Sequence, residues 1–331
     1  MAARPLARIY RGTSRNLAFL AACLRKGELV AVPSETVYGL AGNALDARAC
    51  REIFRAKRRP ANDPLIVHIH SLAQLKQVCR PNPAALLLAK RFWPGPLTLV
   101  LPKTDAIPAA VSAGQASVAV RMPSHPLFRK LLKLTGVPLA APSANPFGYV
   151  SPTTASHVRD GLGFRIRHIL DGNASAIGLE STILDLRRAD RPRLLRPGAV
   201  TREAIEEVLQ CPVSRVRRRA TPSGERSGAQ LAPGMMMRHY SPQTPVELHD
   251  TLRATRGTED AYIFIRRPDA LRAANVFWLD PSGKLEGVAH RLFAVLRQVD
   301  RKKFRTIHVE LARGSGLAEA INDRLRRAAS R

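Results

Sequence analysis

Cysteine is scarce in this chain of 331 residues, and its spacing excludes several classes of protein. The four cysteines, Cys23, Cys50, Cys79 and Cys211, form no C-x-x-C pair and have no histidine pattern beside them. Disulfide-rich secreted domains and cysteine-based zinc sites depend on closer spacings. We therefore expect neither a disulfide framework nor a metal site, and the cysteine pattern favours a reducing compartment.

Long apolar runs are also missing. No stretch of about 18 apolar residues occurs, so we expect no membrane-spanning helix. Residues 1–15 are basic and contain no acid, as in organellar transit peptides. However, Leu17, Leu20, Ala21 and Leu24 already form the apolar face of a domain helix, which leaves too few residues for a presequence. We therefore expect a cytoplasmic protein.

Two common nucleotide-binding motifs are absent as well. Neither G-x-G-x-x-G nor G-x-x-x-x-G-K-[ST] occurs, so nucleotide binding cannot depend on a dinucleotide fingerprint or a P-loop. The sequence also shows no Ser-His-Asp or Cys-His pattern of the kind that would indicate a protein nucleophile.

Acidic residues are few, with 26 against 53 basic ones, and the net charge is +27. Such a charge attracts RNA, nucleotides and other anions. The alternative is compositional bias, because a GC-rich genome enriches arginine without selection for binding. Aromatic residues make up only 5% of the chain, which argues against a surface on which bases stack.

The order of helix and strand signals predicts two α/β domains. Residues 1–210 alternate helices and strands, and several gaps between strands are too short for a helical crossover, so we expect a large mixed sheet. Residues 211–244 are rich in Pro, Gly, Ser and Arg and are typical of a linker. Residues 245–331 predict a smaller α/β domain with Rossmann-like layering.

The stretch from Gly27 to His68 carries the strongest signal for a binding site. A strand from Glu28 to Val32 leads into the polar loop 33–39, and a helix from about Asp46 leads into the basic run 57–60 and a second strand. Loops at strand ends hold ligands in α/β proteins. Hydroxyls and a cationic run suit a substrate with one polar and one phosphorylated end. Simpler interpretations are that Ser34 and Thr36 only form a turn and that the basic run is a solvated helix end.

The sequence PSETVYGL followed by K-x-R-P-x-x-x-P-L-I-V-H resembles the signature of the YrdC-type threonylcarbamoyl-AMP synthases. The family usually has Thr where this chain has Ser34, a change that keeps the hydroxyl. The blocks FWPGPLTLVL, SVAVRMPSHP, APSANPFGYVSPT, GLESTILD and LLRPGAV follow in the family order. The resemblance therefore extends through the whole first domain.

The resemblance implies an enzyme that joins L-threonine, bicarbonate and ATP into threonylcarbamoyl-AMP and pyrophosphate, for threonylcarbamoyladenosine formation in tRNA beside the anticodon. Mg²⁺ would arrive with ATP, and the product would pass to a threonylcarbamoyl transferase complex. The positions implied to bind threonine are Thr36, His68, Arg121, Ala141 and Ser181. Those implied to bind ATP are Lys57, Arg59, Asp63, Ser117, Ser143, Asn145, Ser151, Arg196 and Tyr240.

The stretch LAPGMMMRHYSP in the linker is similar to the PGM-x-x-x-HY-[AS]P segment of the two-domain synthases. In those enzymes the linker folds over the active site, so the resemblance implies an ordered lid that carries Tyr240. Composition alone predicts an ordinary flexible spacer.

Two other functions stay open at this stage. The charge would suit a non-catalytic module that binds double-stranded RNA or the ribosome. A carbamoyl-transferring maturation enzyme could use the same domain, but it would need an acylphosphatase-like segment and zinc-finger cysteine pairs, which the sequence lacks. Individual residues also have structural alternatives, since Arg121 could pair with a surface acid and Ser143 and Asn145 could merely shape a turn.

Overall fold

A computed structural model describes residues 5–216, 230–232, 240–253, 257–269 and 273–330 of the chain. Within these residues, the helices of the first part are α1 (Ser14–Arg25), α2 (Ala47–Lys57), α3 (Leu72–Val78), α4 (Pro83–Phe92), α5 (Ala109–Ser112), α6 (Pro126–Thr135), α7 (Ala155–Leu162) and α8 (Arg202–Leu209). Its strands are β1 (Arg8–Tyr10), β2 (Val30–Val32), β3 (Gly39–Asn43), β4 (Ile66–His68), β5 (Leu97–Pro102), β6 (Ser117–Arg121), β7 (Leu139–Ala140), β8 (His168–Leu170), β9 (Thr182–Asp185), β10 (Arg193–Arg196) and β11 (Ser214–Arg215).

Short polar side chains set where the helices of this part begin. Thr13, Asp46, Ser71, Thr154 and Thr201 each cap a helix by accepting a hydrogen bond from a backbone amide of its first turn. Such a cap satisfies a donor that the helix itself cannot pair. The start of α2 near Asp46, which the sequence predicts, is therefore confirmed.

The first sheet has eleven strands in the order β1-β8-β2-β3-β7-β4-β6-β5-β9-β10-β11. It is mixed, as the short connections predict: β4 pairs with β6 in parallel, whereas β7 pairs with both β3 and β4 antiparallel. Buried aliphatic residues on both faces pack against the helices. The sequence prediction of a large mixed sheet is confirmed.

Three strands of this sheet, β1, β3 and β11, were not predicted from the sequence. β1 lies in the basic segment that resembled a transit peptide, and it pairs in parallel with β8. β3 has the sequence GLAGN, whose glycines have low strand propensity. The close packing favours Gly42 there, because a Cβ atom would lie 3.0 Å from Leu29 Cδ2 and that side chain would have to shift. Tertiary packing therefore overrides local propensity at β3.

The second sheet belongs to the C-terminal part of the chain and is entirely parallel, in the order β12-β15-β13-β14. Its elements are β12 (Val246–His249), β13 (Ala261–Arg266), β14 (Val276–Asp280), α9 (Leu285–Asp300), β15 (Ile307–Glu310) and α10 (Leu317–Ala329). The parallel order with helices on one face matches the Rossmann-like layering that the sequence predicts. Val37, Val150 and Leu179 of the first part belong to the hydrophobic core of this unit. The two units therefore share a core cluster.

The described residues of the predicted linker are not a free spacer. β11 adds to the first sheet beside β10, so that sheet extends past residue 210. Ala232 is buried against Ile66 and Leu195, and the Gln230 amide donates to the Asn62 carbonyl oxygen at 3.0 Å. Pro233 to His239 of the lid segment lie outside the described residues. Among the helices that the structure describes, none is long and apolar enough to cross a membrane.

Candidate active site

Two parallel strands bring His68 and Arg121 to one edge of the first sheet. β4 ends at His68 and β6 ends at Arg121, and the two residues are register partners. The carboxyl ends of parallel strands meet at one edge, where α/β proteins place ligands. Both side chains are buried. Burial, with the nearby Arg121 guanidinium, lowers the pKa of His68 to about 3, so its imidazole is neutral at physiological pH.

The loop 33–39 is folded by Ser34 and lies against these strand ends. Ser34 Oγ donates to the Val37 carbonyl oxygen at 2.6 Å and accepts from the Val37 amide at 3.2 Å. The turn places Thr36 Oγ1 2.9 Å from Ser34 Oγ, where it also accepts a hydrogen bond of 2.9 Å from Arg121 Nη1. Ser34 therefore does form a turn, as the simpler interpretation says, and this turn orients Thr36 toward the sheet edge.

Glu35 is the partner of Arg121, and the sequence analysis did not select it. Arg121 Nη2 lies 2.6 Å from Glu35 Oε1, and the same oxygen accepts from the Ser124 amide at 3.1 Å. Burial by itself would raise the pKa of Glu35, but the ion pair with Arg121 outweighs it and keeps the pKa below its usual value. The alternative that Arg121 pairs with a surface acid is wrong, because both members of this pair are buried.

β9 and β10 supply another wall of the site. Ser181, which precedes β9, has its Oγ 2.7 Å from Thr98 Oγ1. Arg196 at the end of β10 donates from Nε to the Ser181 carbonyl oxygen at 3.1 Å and from Nη2 to Ser181 Oγ at 3.2 Å. Burial lowers the pKa of Arg196. Arg196 therefore positions Ser181 and adds a second buried cation to the site.

In the basic run 57–60, Lys57 and Arg59 face inward, so the run is not a solvated helix end. Arg59 is buried, and its guanidinium binds Asp63 Oδ2 at 2.9 Å and the Pro64 carbonyl oxygen at 2.7 Å. Burial lowers the pKa of Arg59, and the Asp63 carboxylate opposes this effect. The αL conformation of Arg58, with φ of 54°, turns the chain so that residues 57 and 59 both point into the protein.

Lys57 acts as a structural brace inside the protein. Its side chain is 1% exposed, and Nζ donates to the carbonyl oxygens of Ser143 at 2.6 Å and Asn145 at 2.5 Å. Burial and the neighbouring Arg59 lower the pKa of Lys57 well below its usual value. Lys57 therefore holds the loop that carries Ser143 and Asn145.

The other predicted ATP-side residues surround this loop. Asn145 is buried, and its Nδ2 donates to the carbonyl oxygens of Pro146 at 2.9 Å and Tyr149 at 2.8 Å, which shows the turn-forming role that the sequence left open. Ser151 is buried and donates to Glu180 Oε1 at 2.5 Å. Ser117 is buried at the start of β6.

The C-terminal unit reaches the site through Arg324. Arg324 is fully buried on α10, and its Nε donates to Glu180 Oε2 at 2.8 Å. Its Nη2 donates to the Pro197 carbonyl oxygen at 3.0 Å. Its guanidinium also lies 5.5 Å from the centre of the Tyr240 ring, whose hydroxyl has a pKa raised by burial. Glu180, the glutamate of the GLESTILD block, was not predicted as a site residue.

These residues line one cavity with an empty volume of about 550 Å³, its mouth included. All five predicted threonine-side positions line it, as do four of the predicted ATP-side positions: Arg59, Ser143, Arg196 and Tyr240. Three arginines and one carboxylate, Glu180, contribute to this lining, so its charge favours anions. Five further predicted ATP-side residues are buried but do not line this cavity: Lys57, Asp63, Ser117, Asn145 and Ser151.

Comparison with known proteins identifies the family. Residues 22–198 match the family model described as "Telomere recombination", and residues 200–330 match the model described as "Threonylcarbamoyl-AMP synthase, C-terminal domain". The chain belongs to the threonylcarbamoyl-AMP synthase family. It is 42% identical to the threonylcarbamoyl-AMP synthase of Pyrococcus abyssi over 92% of this chain and 91% of that protein. It is 41% identical to that of Bacillus subtilis, over 95% and 93%.

A solved structure of the same family has this fold. The crystal structure of P. abyssi Sua5 complexed with L-threonine superposes with a TM-score of 0.87 at 39% identity, covering 98% of each chain. The relation therefore extends through both α/β units of this synthase-family enzyme, and the sequence prediction of the two-domain form is confirmed.

Proposed function

We propose that this synthase-family member makes threonylcarbamoyl-AMP and pyrophosphate from L-threonine, bicarbonate and ATP. The observation that carries the proposal is the convergence of the five predicted threonine positions and four predicted ATP positions on one cavity. Closeness in sequence does not explain this convergence, since the contributing residues are spread between positions 36 and 240. A structure of the P. abyssi relative complexed with L-threonine supports threonine as one substrate.

Arg121, Thr36 and His68 form the threonine side of the proposed site. A guanidinium can bind both oxygens of a carboxylate, and Arg121 is the cation at this end of the cavity. Glu35 already neutralises part of its charge and holds it in place, so the guanidinium is oriented before threonine arrives. The neutral imidazole of His68 can accept or donate one hydrogen bond without adding charge beside the amine.

Arg59 and Arg196 form the phosphate side. The amine of threonine forms a carbamate, either with CO₂ and loss of a proton or with bicarbonate and loss of water. A carbamate oxygen then attacks the α-phosphorus of ATP. The bond from that phosphorus to the oxygen that bridges to the β-phosphate breaks, and pyrophosphate leaves. Two arginines beside the phosphates stabilise the developing negative charge without a protein nucleophile.

Mg²⁺ enters the proposed site as a complex with ATP. Among the described residues, the carboxylates closest to the site each pair with an arginine: Glu35 with Arg121, Asp63 with Arg59 and Glu180 with Arg324. Since these carboxylates are already paired, the phosphate oxygens of ATP would supply the ligands of the ion. Its contribution when bound is to neutralise phosphate charge.

The product is a mixed anhydride, so the site must exclude water. Tyr240 is fully buried and lines the cavity, although it belongs to the segment that the sequence predicts as a linker. Its ring packs 5.4 Å from that of Phe293 in the C-terminal unit. We infer that Tyr240 helps to shield the adenylate from water until the adenylate passes to a threonylcarbamoyl transferase that acts on tRNA in the cytoplasm. The net charge of +27 supports direct contact with that RNA.

Pyrophosphate release tests the proposal directly. With ATP and Mg²⁺ present, release should require both L-threonine and bicarbonate, and label from ¹⁴C-bicarbonate should appear in a nucleotide product. Release that is equally fast without threonine would contradict the proposed substrate. RNA binding with no pyrophosphate release under any of these conditions would support the non-catalytic alternative.

A further inference from the structure

The outer face of the C-terminal sheet carries a cluster of histidine and carboxylate side chains far along the chain from the active-site motifs. Glu247 and His249 lie two residues apart on β12, so they point to the same face. His308 on β15 is the register partner of Glu247, and Tyr262 on β13 is the register partner of His308. The parallel register therefore places all four side chains together.

Three potential metal-ligand atoms meet in this cluster. His249 Nε2 lies 3.0 Å from His308 Nδ1, and Glu247 Oε2 lies 3.4 Å from that same nitrogen. All three atoms are within 4.8 Å of one another. Tetrahedral ligands at the usual zinc–nitrogen distance stand about 3.3 Å apart, so the two measured separations match the edges of such a site.

Direct hydrogen bonds cannot satisfy all three atoms of this cluster at the same time. If Nδ1 of His308 carries a proton, the proton can be directed well at His249 or at Glu247, but not at both. If Nδ1 is unprotonated, its lone pair faces the Glu247 carboxylate at 3.4 Å, which is repulsive. A cation between the three atoms removes the conflict, because each then donates an electron pair to it.

The residues around His308 resemble the outer shell of a metal site in their placement, although no direct hydrogen bond joins Asp260 to the imidazole. Its other nitrogen, Nε2, faces Asp260 Oδ2 at 3.9 Å, and Arg305 holds both oxygens of Asp260 with hydrogen bonds of 3.1 and 2.8 Å. A carboxylate behind a ligating imidazole is the common arrangement around protein-bound metals. The Tyr262 ring stacks on His308 at 5.1 Å with an angle of 20°.

We propose that Glu247, His249 and His308 bind a divalent transition-metal ion, with Zn²⁺ as the best fit to two imidazoles, one carboxylate and an open fourth position. Glu247 is exposed, which leaves that position accessible to water. The ion would join the edge strand β12 to β15. The cysteine spacing predicted no metal site. The ligands proposed here are not cysteines, and they lie on strands about 60 residues apart that become neighbours only in the sheet.

Calorimetric titration of the full-length, metal-free protein with ZnCl₂ tests this site without depending on the proposed activity. We expect one equivalent to bind with a dissociation constant of about 1 µM or lower. His249→Ala and Glu247→Gln should each weaken binding at least about tenfold, and Glu247→Gln at the surface should not disturb folding. Co²⁺ should give the visible absorption of a tetrahedral complex in the parent protein and lose it in His249→Ala.

His290→Ala is the matched control, because His290 lies in the same unit but contacts the Ala176 carbonyl oxygen. Binding should be unchanged in this variant. The group Cys23, Glu28 and His168 in the first unit could also approach a metal ion, so His168→Ala distinguishes the two places. The proposal is overturned if no Zn²⁺ binds, if His249→Ala binds as tightly as the parent, or if His168→Ala abolishes the binding.

Discussion

Arg121 belongs to a buried ion pair and is also the residue proposed to bind the carboxylate of threonine. Its guanidinium contacts Glu35, Thr36 and the Gly95 carbonyl oxygen, and all of these contacts are buried. Arg121 is therefore oriented by the protein before a carboxylate binds. The proposed threonine site uses a cation that already has one anionic partner, and this limits how much binding energy the second carboxylate can gain.

We predict that Arg121→Ala raises the threonine requirement far more than the ATP requirement. Loss of a charge-assisted pair of this kind costs about 2–5 kcal/mol, so the KM for threonine should rise about 30-fold or more. The KM for ATP should change little, because Arg59 and Arg196 remain. Steady-state kinetics with each substrate varied in turn measures both values.

Glu35→Gln is the control for Arg121→Ala. Both variants break the buried ion pair and should lower thermal stability, but only Arg121→Ala removes the cation. Threonine affinity should therefore be kept in Glu35→Gln. Equal effects of Arg121→Ala on the two substrates would place this residue outside the threonine site.

His68 should make the fold sensitive to acid. Its pKa is about 3 in the folded chain and 6.5 in the reference state, so below pH 6.5 the unfolded chain takes up a proton that the folded chain does not. Its contribution to stability is present above pH 6.5 and is lost as the pH falls toward 3, which amounts to about 2 kcal/mol at pH 5. In His68→Asn, the loss of unfolding free energy between pH 7.5 and pH 5 should be smaller by about this amount. Urea denaturation at the two pH values checks this, and an unchanged difference would show that His68 is not buried as a neutral group.

At the scale of elements, the end of α2 couples the helix to the loop that carries Ser143 and Asn145. Lys57→Met keeps the length of the side chain but removes two hydrogen bonds to that loop. We predict a loss of about 2–4 kcal/mol in unfolding free energy, because both carbonyl oxygens lose a charged donor. ATP affinity should fall as well, since the loop lines the cavity. Urea denaturation and calorimetry measure the two effects.

Arg58→Ala is the matched change in the same basic run. Arg58 is exposed, so its replacement should stay within about 0.5 kcal/mol of the parent. If Lys57→Met is as stable as Arg58→Ala but binds ATP more weakly, Lys57 contacts the phosphates directly and is not a brace.

At the scale of the whole molecule, Arg324 connects the C-terminal unit to the active site. It holds Glu180, and Glu180 accepts from Ser151 and lines the cavity. Because Arg324→Met leaves a buried carboxylate without its cation, we predict that kcat falls at least about tenfold and that stability falls by about 3–5 kcal/mol. Activity is to be measured at a temperature at which circular dichroism shows the variant folded.

Arg301→Met separates this coupling from simple attachment of the two units. Arg301 also bridges them, through Asp160 at 3.0 Å, but at an exposed position. Exposed ion pairs contribute about 0–1 kcal/mol, so this variant should keep most of its activity. Equal losses in Arg301→Met and Arg324→Met would mean that neither residue positions the site.

A chain that ends at Gln210 should be impaired in synthesis. It would lack Tyr240 from the cavity wall and would expose Val37, Val150 and Leu179, which pack in the C-terminal core. Val37 lies in the loop beside Thr36, so this exposure reaches the threonine side directly. Pyrophosphate release by the truncated chain, compared with the full chain, measures the effect. Equal rates would show that the second unit does not contribute to the site.

The sequence by itself determined the local structure and the family. The capping residue Asp46 gave the start of α2, because a cap acts on amides within the next three residues. The motif blocks gave the cavity residues, because the blocks follow one another along the chain in the same order as the strands that carry them. Strand β3 escaped prediction, since glycine and alanine carry little propensity and its position depends on neighbours at β2 and β7.

Only the tertiary structure decided which charged groups pair and which way they face. Lys57 and Arg59 read as a solvated helix end, yet both are buried, because the αL turn at Arg58 points both side chains inward. Lys57 finds its partners 86 and 88 residues away in the loop at residues 143–145, whereas Arg59 pairs with the nearby Asp63. Glu180 and Arg324 meet across 144 residues. The stability of a buried charge depends on the partner and the dielectric that the folded chain places around it, and neither is encoded in the residues beside it in sequence.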